Sequence, residues 1–280
     1  MGSLRRAALA GAAFCFLTGC AGHESIGGSR ERVEAWAAAQ GFRTEIISAN
    51  GFALFSLRRQ RSAAEVLTVY IEGDGAPWPN PFRPPNDPTP IRPVALLLAE
   101  RDPSPQVAYL GRPCQYLGET ARANCGVAYW SSRRYVQNVL DAMDAAATRL
   151  KESARASRLR LVGHSGGGVI ATLLAMRRKD VDSLVTVAAP LSLSDWIARH
   201  GLSPLEDALD PMRLAAPRGL PPAMHFAGEA DDVVPPAIVA GFARRHGGRL
   251  ETIAGFDHDC CWARDWPELL LRAGKPEGPP

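Results

Sequence analysis

A short glycine-rich stretch in the middle of the chain constrains its fold more than any other feature. Gly163-His164-Ser165-Gly166-Gly167 follows the apolar run Arg160-Leu161-Val162 and precedes a helix-forming run at 169–174. A serine on a sharp turn between a strand and a helix adopts a strained backbone conformation, and glycines keep that turn free of other side chains. The helix start also offers unpaired backbone N–H groups and a partial positive charge. The pattern therefore predicts a strand, a turn with an exposed Ser165 hydroxyl, and a helix.

Apolar runs and helical periodicities alternate along the rest of the chain. The run Val66–Ile71 is almost wholly apolar, as expected for a strand covered on both faces. Asn50-Gly51 separates two runs of β-forming residues and favours a hairpin turn. We predict strands at 43–48, 52–57, 66–71, 106–110, 159–162, 183–188, 224–227 and 250–253, and helices at 31–40, 94–100, 135–151, 166–177, 236–245 and 266–273. This alternation predicts an α/β fold with a mainly parallel central sheet, flanking helices and an antiparallel edge.

One domain is expected over residues 31–274, because a chain of 280 residues, 46% of them hydrophobic, can bury one sizeable core. Segment 191–222 interrupts the alternation, since a short helix at 194–199 is followed by a loop rich in leucine and proline. We predict that this insertion forms a small cap. The last residues, 275–280, are predicted to be a disordered tail.

The first twenty residues indicate export. A short positive stretch, Met1 to Arg6, precedes an apolar run that closes with Leu17-Thr18-Gly19-Cys20. This arrangement resembles the lipobox of bacterial lipoprotein signal peptides, which implies removal of residues 1–19, acylation of Cys20 and a tether over 20–30. An ordinary signal peptide cut near Ala21 and a short uncleaved anchor are the alternatives, although the apolar run is brief for a hydrocarbon core of about 30 Å. We expect a protein that a lipid anchor holds at a bacterial membrane, the outer one, facing the periplasm.

Apart from Cys15 in the leader and the acylated Cys20, four cysteines remain, and an oxidising periplasm favours their pairing. They are Cys114, Cys125, Cys260 and Cys261. Pairing Cys114 with Cys125 closes a short loop but leaves the two adjacent cysteines to form an eight-membered ring. Two cross-links between the distant segments are equally consistent with the sequence, and they would clamp the loop around residue 258. No Cys-x-x-Cys or Cys/His spacing accompanies these residues, so no metal site is predicted.

From about Arg43 to Leu271 the chain resembles the α/β-hydrolase superfamily, whose triad order is serine, acid, histidine. The segment Gly228-Glu229-Ala230-Asp231-Asp232-Val233-Val234-Pro235 is similar to the superfamily's Gly-x-x-Asp-x-x-Val-Pro turn, and Gly255-Phe256-Asp257-His258 to its histidine loop. The resemblance implies that Ser165 is the nucleophile, His258 the base and Asp231 the acid that orients it. Asp232 stays open as the acid. About 27 residues separate Asp231 from His258, enough for one helix and one strand.

The resemblance also implies an oxyanion hole formed by backbone N–H groups. One donor is Gly166, directly after the serine, and the other belongs to the loop Glu72-Gly73-Asp74-Gly75, at the position of the superfamily's His-Gly segment. Glu72 departs from that pattern, in which histidine is frequent. Asp74 is the expected second donor, with Gly75 as the alternative, and its carboxylate must point away from the developing negative charge.

Together these residues predict a serine hydrolase that cleaves an ester, thioester or amide of a small or lipid-like acyl substrate through an acyl-enzyme, with ester chemistry favoured. The alternatives are a catalytically silent lipoprotein that binds lipid or glycan, and an acyltransferase that uses the same triad. The sequence has no dinucleotide fingerprint, metal-ligand cluster or basic run, so no cofactor, metal or nucleic acid is expected. Trp78 and Trp196 are candidate pocket residues, and the oligomeric state is left open.

Overall fold

The computed structural model describes residues 26–76, 78–80, 83–123, 125–216 and 219–274. The predictions for the leader at 1–19, for Cys20, for most of the tether and for the tail at 275–280 lie outside the described residues. Within those residues, no helix combines the length and the apolar character needed to cross a bilayer.

Eight strands form one central sheet in the described part of the chain. They are β1 (Arg43–Ala49), β2 (Phe52–Gln60), β3 (Val66–Ile71), β4 (Gln106–Leu110), β5 (Arg158–His164), β6 (Val181–Val187), β7 (Ala223–Gly228) and β8 (Arg249–Ile253). Their order across the sheet is β1-β2-β4-β3-β5-β6-β7-β8. β2 runs antiparallel to both of its neighbours, and the other adjacent strands are parallel. The predicted mainly parallel sheet with an antiparallel edge is thus confirmed.

Helices cover both faces of this sheet. The α-helices in the described residues are α1 (Arg30–Ala39), α2 (Val94–Arg101), α3 (Glu119–Ala123), α4 (Gln137–Ala154), α5 (Gly166–Arg177), α6 (Leu193–His200), α7 (Pro236–His246) and α8 (Trp262–Ala273), and a 3₁₀ turn spans Val127–Trp130. Helices α4 and α5 contribute to one apolar cluster, and α1, α2 and α8 contribute to another. Because α5 is apolar on every side, it is buried along most of its length.

Strand β3 shows how the sheet divides the core. Leu67, Val69 and Ile71 join the cluster that contains α4 and α5, whereas Tyr70 joins the cluster that contains α2 and α8. Side chains of a strand alternate between the two faces, so a strand covered on both faces needs apolar residues throughout. This arrangement explains the nearly continuous apolar run of β3.

The antiparallel edge begins at the predicted hairpin. Asn50 and Gly51 have φ values of 45° and 82°, the left-handed conformations that a tight two-residue hairpin turn requires. β2 then continues to Gln60, beyond its predicted end at Leu57, because residues 57–60 pair with β4.

Helix α8 begins one turn earlier than predicted. Trp262 and Trp266 lie four residues apart, and both side chains are fully buried in the same cluster. A helix that starts at Trp262 therefore buries both indole rings on one face, which the predicted start at Trp266 would not do. The other helices agree with their predicted positions to within about one turn, whereas α3 and the 3₁₀ turn were not predicted.

Segment 191–222 contains α6, close to the predicted short helix, and is otherwise irregular in its described residues. Its leucines at 205, 209, 214 and 220 pack against the first apolar cluster. The segment is thus attached to the domain through apolar contacts along its length, and its role as a cap stays a prediction.

Candidate active site

Four parallel strands end at one edge of the sheet, and the loops that follow them carry the predicted site residues. Ser165 follows β5, Asp231 follows β7, His258 follows β8, and the loop from Glu72 to Gly75 follows β3. Loops at the carboxyl ends of parallel strands commonly carry binding and catalytic groups. The order of the strands therefore places residues from distant parts of the sequence at a common edge.

The turn between β5 and α5 holds Ser165 in a strained conformation, with φ 52° and ψ −127°. Its glycines are required by close packing. A Cβ atom at Gly163 would lie 2.3 Å from the carbonyl oxygen of Gly167, and one at Gly167 would lie 2.1 Å from that of Ile71. Such contacts are far inside van der Waals distance, so the turn fits against β3 only without these side chains.

Ser165, His258 and Asp231 form a continuous line of contacts. Ser165 Oγ lies 3.0 Å from His258 Nε2, and His258 Nδ1 lies 3.0 Å from Asp231 Oδ2. The other carboxylate oxygen of Asp231 accepts backbone N–H groups from Val233 and Val234, at 2.9 and 2.7 Å. The Asp231 carboxylate is fully buried, and as an acceptor it favours the His258 tautomer with the proton on Nδ1, which leaves the lone pair of Nε2 toward the hydroxyl.

The adjacent Asp232 is exposed to solvent. Both aspartates were candidates for the acid, because the sequence offered two identical side chains side by side. The turn after β7 directs Asp231 inward, where its contacts to His258 and the two backbone donors form.

His164 contributes a contact that sequence reasoning missed. Its Nε2 donates to the backbone carbonyl of His258 across 2.9 Å, and the indole Nε1 of Trp262 donates to the same oxygen across 3.2 Å. Burial, together with the nearby His258 ring, lowers the pKa of His164 to about 3, so the ring is neutral. The turn that carries the serine thus also holds the backbone of the histidine loop, and no sequence motif indicated this contact.

The disulfides in the described part of the chain are local. Cys114 pairs with Cys125, and Cys260 pairs with Cys261. The alternative of two cross-links between the segments is therefore wrong, because residues 114 and 125 lie together in one loop and the other two cysteines are neighbours. The histidine loop is held by hydrogen bonds of Asp257, whose Oδ1 accepts the N–H groups of Asp259 and Cys260.

The Asp74 carboxylate lies directly against the serine turn. A Cβ atom at Gly166 would meet Asp74 Oδ1 at 2.0 Å, so the carboxylate occupies the space that a side chain there would need. Tyr135 donates its hydroxyl to Asp74 at 2.7 Å, and Arg112 and Arg134 form ion pairs with it at 3.2 and 3.0 Å. Asp74 was expected as a backbone donor, and the structure adds that its negative charge is shared by two cations.

Glu72 is a buried carboxyl beneath the same loop. Its Oε1 accepts the N–H of Gly73 at 2.9 Å, and its Oε2 accepts the hydroxyl of Tyr109 at 3.0 Å. The backbone N–H groups of Ala95 and Leu96, in the first turn of α2, also act on it. Burial outweighs these hydrogen bonds and raises the pKa of Glu72 to about 7. Glu72 therefore links the loop after β3 to the start of α2.

A cavity of about 480 Å³ lies between the loop after β3, the segment that precedes α4, and the segment 191–222. Trp196 and Arg134 lie next to each other in its wall: Trp196 donates its Nε1 to the carbonyl of Val233 at 2.7 Å, and Arg134 forms its ion pair with Asp74. The lining includes both tryptophans proposed from the sequence: Trp78, Pro84, Ser131, Ser132, Arg134, Trp196, Ile197, Leu202, Ser203, Pro204 and Leu205.

His164, His258 and Asp259 are the one group of metal-ligand type that the described residues bring together, with ligand atoms within 4.8 Å of one another. Both ring nitrogens of His258 already contact Ser165 and Asp231. A metal ion bound through His258 would have to replace one of those contacts. The geometry of His258 is therefore better explained by its contacts to Ser165 and Asp231 than by a metal centre.

Comparisons with known proteins give matches among solved structures only, since no protein-family model and no curated protein matches the chain. Est1E from Butyrivibrio proteoclasticus superimposes with a TM-score of 0.55 at 16% identity, covering 82% of this chain and 98% of Est1E. The esterase Pf2001 of Pyrococcus furiosus gives a TM-score of 0.58 at 14% identity, covering 85% and 92%. A puromycin-hydrolyzing peptidase of Mycobacterium tuberculosis gives 0.59 at 16% identity, covering 85% of this chain and 40% of the peptidase. The chain has the α/β-hydrolase fold. Identities this low establish the fold, and the chemistry of this α/β-hydrolase fold must be argued from its site.

Proposed function

We propose that the protein is a serine hydrolase that cleaves carboxylic esters through an acyl-enzyme, with Ser165 as nucleophile, His258 as general base and Asp231 as the orienting acid. The observation that carries the proposal is the unbroken line from the Ser165 hydroxyl through the His258 ring to the buried Asp231 carboxylate. A binding protein has no need of all three groups in this order. The structural neighbours named as esterases favour esters over amides, and the peptidase among them keeps amides as the second substrate class.

In the first half of the reaction, the Ser165 oxygen attacks the ester carbonyl carbon while its proton moves to His258 Nε2. The buried Asp231 carboxylate stabilises the imidazolium that results. His258 then returns the proton to the departing alcohol, which leaves an acyl group on Ser165. In the second half, water attacks the carbonyl carbon of the acyl-enzyme while its proton moves to His258 Nε2. His258 then returns that proton to the Ser165 oxygen as the carboxylic acid leaves.

The negative oxygen of each tetrahedral intermediate needs donors that are already in place. The backbone N–H of Gly166, in the first turn of α5, is one of those that a helix start leaves without an intrahelical partner. We assign the second donor to the backbone N–H of Asp74, because its loop packs against the serine turn: a Cβ atom at Gly73 would lie 3.4 Å from Ser165 Cβ. Loss of one such donor typically reduces kcat by about a hundredfold to a thousandfold.

A fluorophosphonate probe tests this assignment, because it reacts covalently with an activated serine. The wild-type domain should be labelled and should hydrolyse short p-nitrophenyl esters. Ser165→Ala should abolish labelling and reduce kcat by roughly a thousandfold or more. Ser157→Ala is the matched control, since Ser157 is exposed just before the other end of β5. Labelling that survives Ser165→Ala would rule out the nucleophile, and product analysis with added alcohols separates hydrolysis from acyl transfer.

We further propose that Cys20 carries a lipid that holds the domain at a bacterial membrane, on the basis of the lipobox-like sequence alone. Several acyl chains hold a protein durably, since each buried methylene contributes roughly 0.8 kcal/mol. Metabolic labelling with palmitate should mark the wild-type protein and not Cys20→Ala. Retained label in that variant would refute lipidation at this residue.

A further inference from the structure

The cluster of side chains around Asp74, next to the candidate oxyanion hole, carries more positive than negative charge. Arg112 and Arg134 both contact Asp74, whereas the third partner of that carboxylate, Tyr135, is uncharged. Burial and the Asp74 charge raise the pKa of Tyr135 well above its usual value, so the phenol adds no negative charge. Arginine remains protonated in proteins. Two guanidinium groups thus share one carboxylate, and the cluster has a net charge of +1.

The uncompensated positive charge faces the cavity through Arg134. Arg112 turns inward, with its side chain 4% exposed and its Nη2 bound to the carbonyl of Arg134. Arg134 directs Nε toward Asp74 and donates from Nη1 to the carbonyl of Ser131. The Tyr135 hydroxyl also acts on this guanidinium, and no hydrogen bond donated by Nη2 is found among the described residues. Arg134 also lines the cavity, with its side chain 10% exposed, so part of the guanidinium can contact a bound molecule.

The rest of the cavity wall offers no charge to balance Arg134. Of the described lining residues, Arg134 is the one with a charged side chain, and most of the others are apolar. The indole of Trp196 lies 5.8 Å from the guanidinium carbon, which covers one face of the cation. A cation in an apolar wall gains most from an anion that completes its hydrogen bonds, and the planar guanidinium matches a carboxylate.

We infer that the cavity selects an ester substrate with an apolar acyl body that ends in a carboxylate, which Arg134 binds. The inference rests on the proposed esterase function and narrows its substrate to monoesters of apolar dicarboxylic acids. Trp78, Trp196 and Leu202 would contact the apolar body, while the ester carbonyl lies at Ser165 and Gly166. The ion pair with Asp74 would hold the Arg134 guanidinium in place for this contact.

The test compares matched pairs of activated esters that differ by one charge. Each pair is a p-nitrophenyl monoester of a straight-chain dicarboxylic acid, from succinic to suberic, and the same compound with its free carboxylate capped as a methyl ester. For the best chain length we expect kcat/KM of the anionic ester to exceed that of its neutral partner about tenfold, as for one charge-assisted hydrogen bond. An equal or lower value at every chain length would overturn the inference.

Arg134→Gln should lower this ratio to about one or below, and the ratio is the readout because the same substitution also affects the Asp74 cluster. Arg134→Lys keeps a charge without the planar fork and should give an intermediate ratio. Arg213→Gln is the matched control, since Arg213 is 74% exposed in an ion pair with Asp210, and it should leave the ratio unchanged. A ratio that Arg134→Gln does not alter, with the fold intact by circular dichroism, would remove Arg134 as the selecting residue.

Salt distinguishes a contact inside the cavity from attraction by the surface as a whole. In about 1 M NaCl the screening length is about 3 Å, so long-range attraction disappears whereas a buried contact persists. Loss of the preference at high salt would overturn the inference. If both esters are hydrolysed at equal rates, the inference fails and the esterase stands. If neither ester is hydrolysed and the fluorophosphonate does not react, the proposed function fails and takes the inference with it.

Discussion

The two sides of Ser165 are held by different means. On the acid and histidine side, most of the contacts involve backbone groups. Asp231 accepts two backbone N–H groups from within three residues of itself, and the backbone carbonyl of His258 accepts a hydrogen bond from His164. On the oxyanion side, Asp74 is held by side chains that lie 38 and 61 residues away along the chain. The first arrangement leaves a short local motif in the sequence, and the second does not. The sequence can therefore reveal the acid and histidine of such a site while giving no sign of the side chains that hold the oxyanion side.

The largest expected effect falls on the acid and histidine side. Asp231→Asn removes the charge that fixes the tautomer of His258 and should reduce kcat by about ten-thousandfold, as the equivalent substitution does in a serine-protease triad. Asp232→Asn is the matched control one residue away, and it should leave kcat within about twofold because that side chain is in solvent. Steady-state kinetics on one p-nitrophenyl ester measures both. Equal losses in the two variants would contradict the assignment of the acid.

On the oxyanion side, Glu72 should make the stability depend on pH. Its pKa is raised from 4.5 to about 7 in the folded protein, so its contribution is fully present below about pH 4.5 and is lost as the pH rises through 7. Between those values the free energy of unfolding of the wild type should fall, relative to Glu72→Gln, by about 3 kcal/mol. Urea unfolding of both proteins at the two ends of this range gives the difference. Parallel pH profiles would show that Glu72 does not titrate in this way.

Asp74→Asn should destabilise the protein on the oxyanion side, because it leaves the two buried guanidinium groups of Arg112 and Arg134 without a carboxylate partner. The Asp74 side chain is 31% exposed, so we expect a loss of about 2 kcal/mol in the free energy of unfolding, less than for a fully buried pair. Asp87→Asn is the control, since Asp87 pairs with Arg122 nearer the surface and should cost well under 1 kcal/mol. Urea unfolding compares the two, and equal losses would mean that burial of the cluster has no special effect.

The smallest effect is expected for His164→Asn, which removes a neutral hydrogen bond to the backbone of the histidine loop. Such a bond contributes about 1 kcal/mol, so kcat should fall by several fold to about tenfold. If His164 positions His258, KM should change little and labelling by the fluorophosphonate should slow in parallel with kcat. An unchanged kcat would show that Trp262 alone holds the carbonyl.

The sequence was sufficient to predict the sheet, the serine turn and the order of Ser165, Asp231 and His258, because periodicity and glycine placement report on local backbone geometry. It could not decide between Asp231 and Asp232, since the direction of each side chain depends on the turn after β7. The sequence could not predict that Arg112, Arg134 and Tyr135 contact Asp74, because these residues are distant from it along the chain and belong to no motif that includes it. The start of α8 at Trp262 also could not be predicted, because it depends on how the indole of Trp262 packs in the core.

The two disulfides found among the described residues close small rings, with partners 11 residues apart in one case and adjacent in the other. Neither bridge joins one half of the chain to the other. Once the fold is lost, an oxidised polypeptide is almost as free to expand as a reduced one, and the two should migrate nearly together on a denaturing gel. The stability of the folded protein therefore rests on its sheet and its packed helices, whereas each disulfide constrains one local segment.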